Sequence, residues 1–138
     1  YHDSCHLARL SEPWIQWEGK RGQYGVLDPP RAYRRGTHGI YKQPRDILKG
    51  IPGLQLVEMI RMNENTLCCG AGGGVRDAYE DFALSTADMR LEEAQETGAE
   101  AIISACPFCK DNFINASGGD KPDIAVYDIS ELIVRAIS

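Results

Sequence analysis

Residues 99–113 read Ala-Glu-Ala-Ile-Ile-Ser-Ala-Cys-Pro-Phe-Cys-Lys-Asp-Asn-Phe. Within them Ala101–Ser104 is a short apolar run with clear bounds, the pattern of a buried parallel strand. That strand delivers Cys106 at its carboxyl end, and Pro107 suits the first turn of a helix through Phe113. Downstream, Ile124–Tyr127 repeats the buried-strand pattern. Asp128 or Ser130 is placed to cap a last helix carrying Leu132, Ile133 and Ile137. Strand and helix alternate, which predicts an α/β domain with a mostly parallel sheet and flanking helices.

Toward the amino terminus, Leu84, Ala87, Leu91 and Ala94 form the apolar stripe of a helix that starts near Tyr79, with Gly98 as its cap. Glu92, Glu93 and Glu96 read as the solvated face of that helix. Leu54–Met59 alternates and reads as a strand. A short helix is expected over Pro44–Lys49, ended near Gly50. Tyr1–Ser4 reads as the end of a strand leading into Cys5. Between them Ser11–His38 holds four glycines, three prolines and no periodicity, so residues 11–38 are expected to be a long loop or inserted subdomain.

The whole chain, 138 residues with 43% hydrophobic content, is expected to be one domain. Twenty acidic against fifteen basic residues give a charge of −5, which argues against a broad electrostatic footprint for nucleic acid or anionic membrane. No apolar run approaches the roughly 20 residues that span a bilayer. Tyr1-His2-Asp3 is not a signal segment, so the chain is expected to be cytoplasmic and without direct membrane insertion. With its first cysteine at position 5 and no initiator Met, it reads as an excerpt of a longer polypeptide.

Five cysteines, an odd count containing an adjacent pair and a CxxC, fit metal or redox chemistry better than a disulfide framework. Cys5, Cys68, Cys69, Cys106 and Cys109 are all expected near carboxyl ends of strands, where open α/β sheets build their sites. Helix amino ends and unpaired N–H groups there would stabilise thiolates, which bind soft metal ions. Gly70, Gly72, Gly73 and Gly74 then supply chain that wraps tightly and aims N–H groups at sulfur.

Other readings compete. A single buried cysteine is often only a small hydrophobe, but that does not account for all five. The CxxC alone also fits a thioredoxin-like redox pair or half of a structural zinc site. Adjacent cysteines are awkward for tetrahedral zinc, because neighbouring side chains seldom reach one ion without strain. The glycine run is not a dinucleotide loop, since the position of its third glycine holds Val75, and no Gly-Lys-Ser/Thr follows.

Cys5, Gly39-Ile40-Tyr41, Pro44-Arg45, Ile51-Pro52-Gly53, Val57-Glu58-Met59, the run Cys68 to Gly74 and Cys106-Pro107-Phe108-Cys109 together resemble the CCG family. That family holds the catalytic subunit of heterodisulfide reductase and iron–sulfur subunits of glycolate, lactate and glycerol-3-phosphate oxidising systems. The resemblance implies a [4Fe–4S]-type cluster, non-cubane in the heterodisulfide reductases, held by Cys5, Cys68, Cys69, Cys106 and Cys109. It also implies a sister CCG domain and redox partners of flavin or ferredoxin-like type. The Cys5-to-Cys68 gap is longer than the family usually has, and the excess falls in 11–38.

In that stretch Trp14, Trp17, Tyr24 and Tyr33 accompany five basic and three acidic residues. A basic, aromatic loop could dock a partner or an anionic substrate, or pack onto its own domain. His6 beside Cys5 could hydrogen-bond a sulfur or be structural, and Arg45 could neutralise cluster charge or lie on the helix surface. The functional expectation is an iron–sulfur electron-transfer domain of a heterodisulfide-reductase-like oxidoreductase. A zinc-bound or metal-free assembly module is the alternative, and a dithiol oxidoreductase using Cys106 and Cys109 is a third.

Overall fold

Side chains alternate across a strand, and Ala101–Ser104 uses this to feed two cores: Ile102 is buried on one side and Ile103 on the other. The computed structural model describes residues 1–117 and 124–138. Its strands are β1 (Lys20–Arg21), β2 (Leu27–Asp28), β3 (Ala101–Ser104) and β4 (Ala125–Asp128). Its helices are α1 (Lys42–Lys49), α2 (Val75–Ala78), α3 (Glu80–Gln95), α4 (Pro107–Ala116) and α5 (Ile129–Ile137).

The architecture is mixed helix and sheet, with small sheets. β3 and β4 run parallel with Ala101 opposite Ala125 and Ser104 opposite Asp128. On the other edge of β3 the His2 N–H donates to the Ile103 carbonyl at 2.7 Å, forming a parallel bridge. β1 and β2 form a separate antiparallel pair inside 11–38.

α3 packs its Ala83, Ala87, Leu91 and Ala94 face toward α4 and β3, and the first core joins Ala87, Leu91, Ile102, Phe113 and Ile124 with Cys69 and Cys109. Full burial of each large side chain here contributes roughly 1.5–3 kcal/mol. The second core gathers Tyr1, Leu48 and Ile103 with Leu54, Leu56, Tyr127 and Leu132. The last helix starts where expected: Asp128 accepts from the Ser130 N–H at 2.9 Å while Glu131 accepts from the Asp128 N–H at 2.8 Å, a reciprocal cap. Lys110 reaches Glu131 at 2.7 Å and ties α4 to α5.

Several expectations are corrected. Leu54–Met59 is irregular chain and not a strand. Its alternation reflects packing, since Leu54 and Leu56 enter the second core and Met59 the first, and Glu58 is clamped by Arg45 Nε at 2.6 Å. Arg45 is not a surface residue but is largely buried. Its fork also holds both Asp3 oxygens at 2.8 Å, joining α1 to the amino-terminal segment. On α3, Glu92 and Glu96 are exposed but Glu93 is buried, because its carboxylate is the partner of the buried Arg90.

The stretch 11–38 leaves and returns at Glu12, whose buried carboxylate accepts from the Gly36 N–H at 2.7 Å and the His38 N–H at 3.1 Å. Beyond that clasp Trp14, Tyr24 and Tyr33 are exposed rather than packed on the domain, while Trp17 donates to the Pro29 carbonyl at 2.9 Å. Gly39 lies where a Cβ would sit 2.1 Å from the Ala8 carbonyl oxygen, so the chain after the clasp passes too close to residue 8 for any side chain.

Candidate metal centre

Three chain segments bring the cysteines together. Cys5 follows the residues that pair with β3, and Cys106 follows β3 itself. Cys106 is the N-cap residue of α4, Pro107 its first residue, and Cys109 lies one turn in, buried. Cys68 and Cys69 follow irregular chain rather than a strand, against expectation. They are positioned from behind: Asn112 Nδ2 donates to the Cys69 carbonyl at 2.7 Å and to the Ala83 carbonyl at 3.0 Å, fastening the pair between α3 and α4.

Gly70 completes that turn at φ +88°, and a Cβ there would lie 2.6 Å from the Ala83 carbonyl oxygen and 2.9 Å from Thr86 Cβ. Both the backbone conformation and the α3 wall demand glycine. Gly70→Ala is therefore expected to cost more than about 1 kcal/mol, seen as a lower thermal midpoint, whereas an alanine at Gly72, whose φ is not positive and whose Cβ position is open, is expected to cost little.

All five cysteines are free thiols. Their sulfurs form a line of neighbours: Cys5 beside Cys68, Cys68 beside Cys69, and Cys69 beside Cys109. Cys106, half-buried, packs on the core that contains Cys69 and Cys109. The Gly70 N–H donates to Cys68 Sγ at 3.3 Å and Arg9 Nη2 to Cys5 Sγ at 3.5 Å. Gly72–Gly74 form an exposed single turn after Cys69, so Gly70 is the glycine whose N–H reaches a sulfur.

Crowding governs the acidity. The adjacent Cys68 thiol, with burial, pushes the Cys5 thiol up, and Arg9 opposes this. The Cys109 thiol, with burial, pushes Cys69 up to about 12, against the Cys68 thiol and the Ala71 N–H. Cys5 and Cys69 are thus harder to ionise than free thiols until a cation takes the place of the proton, which is the behaviour of a metal-thiolate site.

His2, which sequence reasoning passed over in favour of His6, completes the buried side. His6 is exposed, whereas His2 is fully buried. A ring nitrogen of His2 and the sulfurs of Cys69 and Cys109 all lie within 4.8 Å of one another. The ring meets Phe113 edge-on at 4.9 Å, and its Nδ1 accepts from Arg90 Nε at 3.2 Å. Burial and then the Arg90 charge hold its pKa well below the usual imidazole value. Its signal in the sequence was parity: His2 and Ser4 share one face of the segment leading to Cys5.

Among the described residues, the buried side-chain atoms without a hydrogen-bond partner are His2 Nε2, Ser4 Oγ, Ser104 Oγ and Asn112 Oδ1. Each belongs to a residue within three positions of Cys5, Cys106 or Cys109. Buried polar atoms are ordinarily satisfied, so four orphans on the segments that carry the cysteines, one of them on the His2 ring beside Cys69 and Cys109, mark a place where a further group would be accommodated. With a donor set of soft sulfur, the residues fit an iron–sulfur group.

The family model described as the cysteine-rich domain (CCG) matches residues 31–114, which include four of the five cysteines and leave Cys5 outside. Among curated relatives, the dihydromethanophenazine:CoB–CoM heterodisulfide reductase polypeptide from Methanosarcina acetivorans is 39% identical over 137 residues, 99% of this chain and 27% of that protein. A polypeptide of the fumarate reductase (CoM/CoB) from Methanothermobacter marburgensis is 33% identical over 142 residues, 100% of this chain and 22% of its own length. A probable iron-sulfur-binding oxidoreductase, FadF, from Bacillus subtilis is 32% identical over 139 residues, 99% of this chain and 16% of its own length. The chain thus spans about a quarter or less of these curated relatives.

Proposed function

The chain belongs to the cysteine-rich CCG domain family, and from that premise we propose that it is the iron–sulfur electron-transfer domain of a heterodisulfide-reductase-like oxidoreductase. The observation that carries this reading is the line of four neighbouring sulfurs from separate chain segments, with Cys106 on the same core and orphaned polar atoms on the segments that carry them. Cys5, Cys68, Cys69, Cys106 and Cys109 would hold the group. A bound iron–sulfur cluster supplies reversible single-electron transfer at a potential set by its surroundings.

The chain's own residues supply the rest. Cys69 and Cys109 lie in the apolar core and keep water away from one side, while exposed Cys68 and half-buried Cys5 leave the other side open to a redox partner. Arg9 places positive charge next to Cys5, and the Gly70 N–H steadies the Cys68 sulfur. Gly72, Gly73 and Gly74 let further backbone close over the open side.

We assign a [4Fe–4S]-type cluster, non-cubane if the domain follows heterodisulfide reductase, on the strength of five rather than four thiols. The parallel pair β3–β4 and the parallel His2 bridge support reading the domain as built on a mostly parallel sheet. Residues 11–38 are read as an insertion in a single domain of a longer polypeptide, with a sister cysteine-rich domain and flavin or ferredoxin-like partners. The cytoplasm is the proposed compartment, with membrane contact through partner subunits; no described helix is long and apolar enough to cross a membrane.

A zinc-bound assembly module is the competing reading. Zinc takes four ligands and would leave one thiol of this set over. Visible absorption of the full-length protein purified without oxygen separates the two. A brown protein that bleaches with dithionite is expected; a colourless, zinc-loaded protein would overturn the electron-transfer reading.

A further inference from the structure

We propose that His2 is not a ligand of this site but its fixed N–H donor, held in the required tautomer by Arg90. The inference rests on the cluster reading above and concerns what one residue contributes to it.

A guanidinium is protonated throughout the accessible pH range and has only donors to offer. Arg90 Nε–H points at His2 Nδ1 from 3.2 Å, so that nitrogen must be the bare acceptor. A neutral imidazole carries one N–H, which therefore sits on Nε2. An imidazolium would set an N–H on Nδ1 against the Arg90 donor, so the ring in this arrangement is the neutral one.

Arg90 has no freedom to release it. Its Nη1 donates to Glu93 at 2.6 Å and to the Arg61 carbonyl at 2.9 Å, and its Nη2 donates to Thr66 Oγ1 at 3.0 Å. Glu93 is pinned in turn by the Arg61 N–H at 2.8 Å. Phe113, fully buried, fixes the plane of the imidazole.

A histidine that ligates a metal has the opposite arrangement: it gives a lone pair to the metal while its other nitrogen donates to a carboxylate or carbonyl. Here the other nitrogen meets a cationic donor, and ligation through Nε2 would set two N–H groups against each other. What His2 offers is thus a buried Nε2–H with no acceptor among the described residues, on a ring that has a nitrogen within 4.8 Å of the Cys69 and Cys109 sulfurs. Such a donor favours whichever redox state places more negative charge on sulfur, and so raises the reduction potential.

The test uses the full-length protein purified without oxygen, with His2→Asn and His2→Gln. Asparagine keeps an acceptor where Nδ1 stands and removes the donor; glutamine restores an amide N–H near the Nε2 position. The asparagine variant is expected to keep its iron and sulfide but to be about tenfold harder to reduce, a midpoint about 59 mV more negative for one electron, with most of the shift recovered by glutamine.

Pulsed paramagnetic resonance on unaltered protein labelled with ¹⁵N-histidine reads the same point without a variant, and a weak nitrogen coupling with an exchangeable proton is expected. A full-iron asparagine variant with an unchanged midpoint, a nitrogen coupling of directly bound strength, or no histidine coupling at all would overturn the donor role. Absence of iron and sulfide from the unaltered protein would instead overturn the cluster reading itself.

Discussion

Cys69→Ser is expected to empty the site, with iron and acid-labile sulfide attributable to this domain falling to less than about a tenth of their wild-type amounts. Cys69 stands between Cys68 and Cys109 in the line of sulfurs and is buried in the core, so its loss breaks the line at its centre. A serine hydroxyl does not become the soft anion that iron in a sulfide cluster needs. The substitution is nearly isosteric, and the Asn112 hold on the Cys69 carbonyl uses backbone, so helix content by circular dichroism should survive. Loss of metal with retention of fold is the signature of a ligand rather than a core hydrophobe. If the serine variant kept its iron, the cysteine line would be packing.

The largest stability effect is expected from Arg90→Met. Arg90 is 0% exposed, and its charge meets the Glu93 carboxylate, His2 Nδ1, the Arg61 carbonyl and Thr66. Removing it leaves a buried carboxylate without its guanidinium partner, at a cost of roughly 3–5 kcal/mol. For a domain of this size that is a fall of about 10–20 °C in thermal midpoint. Arg61, 45% exposed and the other cation beside Glu93, should cost less than about 1 kcal/mol when changed to alanine, because solvent screens an exposed ion pair. Adding Glu93→Leu to Arg90→Met should recover much of the loss. Thermal denaturation of the three variants checks the ordering; equal effects at Arg61 and Arg90 would contradict it.

The elements around the site were legible where one signal dominated. Ala101–Ser104 had a short apolar run followed by Pro107, and Asp128 was one of two candidate caps before Leu132, Ile133 and Ile137, so β3, α4 and α5 follow from local sequence. The five cysteines could be grouped before their positions were known, because an adjacent pair, a CxxC and a fifth thiol have few other uses. Local pattern failed where distant partners decide. Leu54–Met59 carries a strand's alternation but spends it on the two cores and on Arg45, an α1 side chain. Glu93 looks like its solvated neighbours until Arg90 is seen buried beside it. His2 was hidden for a similar reason, since its importance comes from Arg90, Phe113 and the sulfurs of Cys69 and Cys109, all distant in sequence.

The most direct test of the account is the iron, zinc and acid-labile sulfide content of the full-length protein and its Cys69→Ser variant, both purified without oxygen. The account predicts that the variant loses about four iron and about four sulfide relative to the unaltered protein, one cluster for this set of cysteines. Zinc without sulfide in the unaltered protein, or iron and sulfide unchanged by the substitution, would contradict it.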